Sequence, residues 1–424
     1  MAQLSDDCFA FGGPLMTIGD VERLIVERIT PVIETGRVAL KDAGGRVLAA
    51  DIQAAIDLPP FDNSAVDGFA VRYSDLTISG ETRLPVGARL FAGKSVAAPL
   101  ASKTAMRIFT GAPMPAGADT VFMQEDCKAD GDDVVLPPGL KGGANRRLKG
   151  EDVKAGHVIL KAGTRLQPQH LGIAAAVGRA ELHVRRRVRI ALFSTGDEIA
   201  EPGSALPQAA LYDANRTLLA AQARALGAIV TDLGILKDDE TLLSQALVEA
   251  AADHDVVLTS GGVSTGEADY VRKAVERVGT LTFWRTAIKP GRPVAVGVLK
   301  ARNGHTAAFA GVPGNPVAAF VTFARVVRPL VLQLAGSNAE TLRAFPVRAT
   351  FSYKKKPARR EYVRVSLTRG SDGMFEARKY RQDGAGVISS LTETDGLVEL
   401  PEDVTSITEG QVVDFMPYAT LIGA

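Results

Sequence analysis

At 424 residues the chain exceeds what one core usually organises, so roughly two to four domains are expected. With 46% hydrophobic and 23% charged residues it is too apolar for wholesale disorder, and 49 Lys+Arg against 48 Asp+Glu leave a net charge of +1. That balance removes the electrostatic basis for nucleic acid or an anionic membrane as the main partner, so an anionic ligand has to be held by a local site.

Asp6 and Asp7 near the start, with no basic segment leading into an apolar one, argue against a secretory signal. Thr17-Ile18-Gly19-Asp20 opens a predicted helix whose apolar positions Val21, Leu24, Ile25 and Ile29 recur at helical spacing, and Pro31 limits it. From Leu84 to Gly163, Gly and Pro alternate with short β-prone runs such as Ala105 to Phe109 and Thr120 to Met123, which predicts an irregular β-rich module. Past Arg185-Arg186-Arg187 the period switches repeatedly. Strands are expected over 188–193, 228–236, 255–259, 294–299 and 306–310. Helices are expected from Asn215 as cap to Leu226, over 240–252 and 269–278, and from Pro316 onward. This alternation predicts a mostly parallel sheet covered on both faces. The apolar stretch from Pro316 to Leu334 is interrupted by Arg325 and Arg328 and reads as too polar to span a bilayer. Residues 345–424 show strand alternation, as in Tyr362 to Leu367, and no helix signal, which predicts a small β-barrel or sandwich. The expected division is 1–185, a linker region with a β-rich module over about 50–150, then 186–338, the α/β domain, then 339–424.

Cys8 and Cys127 are far apart and read as free thiols of a reducing compartment. The five histidines have no metal-ligand spacing, so chemistry is left to carboxylates, basic residues and backbone amides. In an open parallel sheet, ligands bind beyond the carboxyl ends of the strands. The loops there are Ser194-Thr195-Gly196-Asp197-Glu198, Ser260-Gly261-Gly262-Val263-Ser264, and Gly311-Val312-Pro313-Gly314-Asn315-Pro316, joined by the loop Lys289-Pro290-Gly291-Arg292. Gly261 and Gly262 with Ser264 form a candidate phosphate cradle, and the same glycines equally fit a turn needed only for packing. Asp238 and Asp239 each fit a helix cap. Taken together with Glu198 and Asp269, such acids are candidate oxygen ligands for Mg²⁺. The run Lys354-Lys355-Lys356, Arg359, Arg360 and Arg364 has the usual explanation of a solvated basic face.

Phe61-Asp62-Asn63-Ser64-Ala65-Val66-Asp67-Gly68, Thr110-Gly111-Ala112-Pro113, Gly150-Glu151-Asp152, Ser194 to Glu198, Ser260 to Ser264, Ile288-Lys289-Pro290-Gly291 and Pro313 to Pro316 stand in the order found in the MoeA family. The chain resembles these molybdopterin molybdenumtransferases, relatives of the carboxy-terminal domain of gephyrin, over nearly its whole length. The resemblance implies a cytoplasmic, four-part homodimer ending in a β-barrel. It implies that adenylylated molybdopterin and molybdate give molybdenum cofactor and AMP with Mg²⁺ or a similar divalent ion. Transient contacts with a molybdopterin adenylyltransferase and with apo-molybdoenzymes are also implied.

By motif match, Glu198, Asp238 and Asp269 are the expected metal and catalytic carboxylates, with Asp67 a further catalytic acid. Thr110, Arg146, Asp152, Thr195, Gly261, Gly262, Ser264, Lys289, Arg292, Pro313, Pro316 and Arg364 are the expected substrate-binding positions. Asp67, Thr110, Arg146 and Asp152 are implied to reach the cleft from a partner subunit. Two positions depart from relatives. Arg285 follows Trp284 where a lysine is often found, and Ala385 replaces a serine and receives no role. Alternative readings are the adenylyltransferase, disfavoured because Gly262-Val263-Ser264 is not its expected Gly-Gly-Thr-Gly, and a non-catalytic scaffold like gephyrin.

Overall fold

The structure, a computed structural model, describes residues 4–5, 8–9, 15–94, 98–261, 270–291, 293–338 and 340–423. Helix α1 (Ile18–Arg28) opens with a capping box. The Thr17 hydroxyl accepts from the Asp20 amide at 3.1 Å, and the Asp20 carboxylate accepts from the Thr17 amide at 3.1 Å. Its buried face, Val21, Leu24 and Ile25, joins Leu4, Cys8 and Phe9 in the core of the α/β unit. The described residues up to the end of α1 therefore pack away from the β-rich module that follows them. After them, strand β1 (Thr35–Ala39) pairs antiparallel with β8 (Glu181–Arg185), so the chain leaves for the module and returns at one place.

Between those two strands lie β2 (Gly68–Val71), β3 (Thr82–Leu90), β4 (Ala105–Ile108), β5 (Thr120–Met123), β6 (Lys128–Asp130) and β7 (Asp133–Leu136), in the sheet order β5-β2-β4-β3-β7-β6. Gly68 is required where β2 meets β5. A Cβ there would lie 1.7 Å from the Phe122 carbonyl oxygen.

The central unit runs β9 (Arg189–Thr195), α2 (Ala214–Ala225), β10 (Ile229–Leu236), α3 (Glu240–Asp253), β11 (Val256–Ser260), α4 (Tyr270–Val278), β12 (Gly279–Arg285), β13 (Pro293–Lys300), β14 (Thr306–Val312) and α5 (Pro316–Leu334). Its six strands lie in the order β10-β9-β11-β14-β13-β12. The first four are parallel, while β13 pairs antiparallel with both β14 and β12, so five of the six strands run the same way and the expected mostly parallel sheet carries one reversed strand. The link from β13 to β14 is too short for a helical crossover and forces a hairpin. Alternate residues explain the two-sided burial. Ile190, Leu192, Val256 and Leu258 face α1, α2 and α5, whereas Ala191, Phe193 and Val257 face α3 and α4. The α2 cap is Asp213, not Asn215. Its carboxylate accepts from the Arg216 amide at 3.0 Å, which leaves Asn215 free for the site.

Helix α5 is long and apolar enough to cross a membrane by length and composition, but 89% of its apolar window is buried inside this protein. Arg325 and Arg328 stay within it because carboxylates meet them. Glu340 lies 2.9 Å from Arg328, and Glu22 lies 3.5 Å from Arg325. The last unit, β15 (Phe345–Ala349), β16 (Arg360–Arg369), β17 (Phe375–Lys379), β18 (Gly396–Leu400) and β19 (Val412–Pro417), closes as β16-β17-β15-β19-β18 with β18 paired back to β16. This is a barrel, and it carries two short helices, Ser389–Thr392 and Tyr418–Ile422, in a region where strand alternation gave no helix signal.

Candidate active site

The carboxyl ends of β9, β11 and β14 place Thr195, Ser260 and Pro313 side by side. The Thr195 hydroxyl donates to the Asp238 carboxylate, so a residue expected to bind substrate orients one of the expected carboxylates. Asp239 takes the other task, accepting from the Leu242 amide at 2.8 Å as the cap of α3. Glu198 is exposed on the same loop as Thr195. Gly196 adopts a φ of +137°, and its missing side chain leaves room for the Glu198 carboxylate, which a Cβ would approach to 2.8 Å.

Gly261 has a φ of +85° and packs where a Cβ would be 3.7 Å from the Thr195 carbonyl. Its N–H donates to the Val312 carbonyl at 3.0 Å, so Gly261 shapes the loop and has no amide left for a phosphate. Gly262, Ser264 and Asp269, with Arg292, lie outside the described residues.

Asn215 ties two loops together. Its amide donates to the Ser260 hydroxyl at 2.8 Å and to the Gly314 carbonyl at 2.6 Å, and it is itself buried. Beyond Gly314 a cavity of about 310 Å³ opens between the α/β unit and the barrel, lined by Lys289, Pro313, Asn315, Tyr353, Glu361 and Arg364 among others. Pro316 starts α5 at the edge of this cavity, and the Val317 amide of its first turn donates to the Ala385 carbonyl at 3.0 Å. The backbone of Ala385 thus makes the contact between helix and barrel loop, whatever its side chain. Gly291, with a φ of +109°, holds the lysine loop against α5, because a Cβ there would lie 2.3 Å from the Thr322 hydroxyl.

The expected basic face of the barrel is solvated only at Lys354 and Lys356, while its arginines turn inward. Arg364 is buried and donates to the carbonyls of Gln382 and Gly384, both at 2.9 Å, and to the Ser390 hydroxyl at 2.8 Å. It lines the cavity, and burial holds its proton affinity below the usual arginine range. Arg360 pairs with Glu399 at 3.0 Å and Glu402 at 3.0 Å. Arg359 donates to Glu361 at 3.0 Å. Glu399 and Glu402 are distant in sequence, so the run alone gave no sign of them, whereas Glu361 stands only two residues from Arg359.

On the module, Asp67 accepts from the Thr110 amide at 2.8 Å and from its hydroxyl at 2.7 Å. These bonds hold the Asp67 carboxyl below the usual carboxylate range. Arg107 lies between the rings of Phe69 and Phe109, 5.0 Å from each centroid. Arg146 approaches Asp62 at 3.6 Å, and Asp152 donates its amide to the Leu58 carbonyl at 3.1 Å. Among the described residues no hydrogen bond or ion pair joins Asp67, Thr110, Arg146 or Asp152 to Asp238 or Lys289. The expected residues therefore form two sets, one on the module and one at the strand ends. Sequence reasoning missed Asn215, Tyr353 and Glu361. For Asn215 the signal was present, since Asp213 is the better cap two residues earlier.

Family models match in chain order: the MoeA N-terminal region (domain I and II) over 16–178, a probable molybdopterin binding domain over 191–333, and the MoeA C-terminal region (domain IV) over 346–418. The molybdopterin molybdenumtransferase of Haemophilus influenzae is 36% identical, over 96% of this chain and 100% of that protein. This chain belongs to the molybdopterin molybdenumtransferase family. The Nostoc molybdopterin molybdenumtransferase is 35% identical over 94% of the chain and 93% of its own length. A solved molybdopterin biosynthesis moeA protein of Pyrococcus horikoshii superposes with a TM-score of 0.79 at 27% identity, covering 95% of this chain and 100% of that one. Within the family frame the Trp284 indole of this member is buried and donates to the Phe9 carbonyl at 2.9 Å. It anchors the amino-terminal segment and places Arg285 at the end of β12.

Proposed function

We propose that this chain inserts molybdenum from molybdate into adenylylated molybdopterin, releasing AMP and forming the molybdenum cofactor. Family membership makes it a transferase of molybdenum-cofactor biosynthesis. One observation supports the placement of the chemistry. The rim from Asp238 and Thr195 through Gly261 and Gly314 runs without a break into the cavity that holds Lys289.

In this reading Lys289 binds a tetrahedral oxyanion, either molybdate or a substrate phosphate, as a compact point charge. Pro313 and Pro316 shape the floor, and Arg364 fixes the opposite wall. Asp238, aimed by Thr195, and exposed Glu198 offer oxygen donors of the kind Mg²⁺ takes, and Asp269 would complete the set by motif; among the described residues no three acids or histidines cluster as a metal site. When bound, Mg²⁺ supplies charge neutralisation at the phosphates. No covalent nucleophile is needed, because the leaving AMP and the entering metal are both handled by positioned charges.

Asp67, Thr110, Arg146 and Asp152 enter as the second wall, contributed by a partner subunit in a homodimer. The protein acts in the cytoplasm, receives its substrate from a molybdopterin adenylyltransferase and hands its product to apo-molybdoenzymes. Purified protein given adenylylated molybdopterin, molybdate and Mg²⁺ is expected to release AMP in step with formation of molybdenum cofactor. Adenylylated product from molybdopterin and ATP would instead make it the adenylyltransferase, and silence in both assays would leave a scaffold.

A further inference from the structure

Glu361 is an acid in the wall of a cavity read as an oxyanion site. Its side chain is 2% exposed, and Lys289 stands 3.3 Å from Oε2. The Tyr353 hydroxyl donates to the same oxygen at 2.8 Å, and Arg359 donates to Oε1 at 3.0 Å. Lys289 and Glu361 are also register partners where the segment Ile288–Lys289 pairs in parallel with the start of β16. The Tyr353 ring lies between two ammonium groups, 5.9 Å from Lys289 Nζ and 6.0 Å from Lys379 Nζ.

Burial alone would push the Glu361 carboxyl up. Hydrogen bonds from Arg359 and Tyr353 and the charge of Lys289 outweigh that and hold it below the usual range, so it is ionised at neutral pH. A buried negative charge beside an anion site is opposed twice, by desolvation and by repulsion of the ligand. Its retention calls for a compensating role.

We propose that Glu361, with Tyr353, is a positioning residue that holds the Lys289 ammonium at the cavity wall, aimed at a tetrahedral oxyanion. The inference rests on the oxyanion reading of the cavity given above, and it makes a prediction of opposite sign to simple electrostatics. If Glu361 were only a neighbouring negative charge, Glu361→Gln would tighten anion binding. As a positioning residue, its loss releases Lys289 and weakens binding.

The test measures molybdate binding to the full-length protein by equilibrium dialysis, without nucleotide substrate, with inorganic phosphate as a parallel arm. Glu361→Gln and Lys289→Ala are each expected to weaken binding about ten-fold, and the double variant no more than Lys289→Ala alone. Tyr353→Phe, which keeps every charge and guards against misfolding of the first variant, is expected to weaken it about three-fold. Loss in the molybdate arm alone names molybdate as the oxyanion, and parallel loss in the phosphate arm names a substrate phosphate. Unchanged or tighter binding in Glu361→Gln, additive losses in the double variant, or a wild-type protein that turns over without binding either anion would overturn the inference. The expected binding pattern in a protein that releases no AMP would leave Glu361 in its role and remove the proposed reaction.

Discussion

Asp67 owes its low proton affinity mainly to Thr110, the amide first and the hydroxyl second, with the charge of Arg107 adding to both. Thr110→Val removes the hydroxyl and keeps the amide, so the Asp67 carboxyl should move part of the way back toward the ordinary range. A depressed acid contributes its stabilisation above the unfolded-state value and loses it as pH falls through the folded value. The variant therefore narrows that window from below. If Asp67 works ionised, the acid limb of AMP release shifts to higher pH, and a carboxyl NMR titration of Asp67 shifts with it. An unmoved titration would remove the Thr110 hydroxyl as a cause. In the lysine loop the decisive residue is Gly291. An alanine there has to accept a φ of +109° and a Cβ 2.3 Å from Thr322 Oγ1. Gly291→Ala should lose roughly 2 kcal/mol of stability in urea unfolding. Adding Thr322→Ala should recover the steric part and leave the backbone strain. Full recovery would show that the φ requirement is not real.

At the scale of elements, α5 shows how a helix apolar enough for a membrane becomes the core of this one. Its turns widen over Phe323–Val327 just before Pro329, which has no N–H to return to the preceding turn. Arg328 emerges there into a pair with Glu340, which also accepts from Arg165 at 2.8 Å. Glu340→Ala strands two buried guanidinium groups and should destabilise the protein by about 3 kcal/mol, measured by urea unfolding. Loss within 0.5 kcal/mol would mean that water or the Glu340 carbonyl already satisfies them.

The same helix shows what was legible in the chain. Pro316 as its first residue, the strand periods of β9, β11 and β14, and the loop order around Thr195, Gly261 and Pro313 follow from local chemistry and could be read directly. Arg328 with Glu340, Arg360 with Glu399, and Lys289 with Glu361 could not. Each joins residues that only tertiary packing brings together, so the basic run of the barrel was indistinguishable from a solvated face. The one reversed strand of the mostly parallel sheet, β13, escaped for a related reason. A strand period does not encode direction, and only the shortness of the link between β13 and β14 reveals the hairpin.

The whole molecule raises a question its single chain poses sharply. Asp67 and Thr110 belong to a module with its own clusters of buried residues, Asp238 to the strand ends of the α/β unit, and Lys289 to the cavity between that unit and the barrel. If the proposed reaction needs both sets, the module has to meet the strand ends of a second copy. A closed two-fold dimer then makes two equivalent clefts, each built from both chains. Asp67→Asn and Asp238→Asn should each inactivate the homodimer, since each defect appears in both clefts. Co-expressed and randomly assorted, the two variants form mixed dimers in about half of all cases, and each mixed dimer carries one intact cleft. Molybdenum insertion should then return to roughly a quarter of the wild-type rate per dimer. A site confined to one chain predicts no recovery, because every chain in the mixture carries one defect. Recovery that tracks the mixed-dimer fraction on native mass spectrometry would place the cleft between subunits, and its absence with mixed dimers present would place it within one.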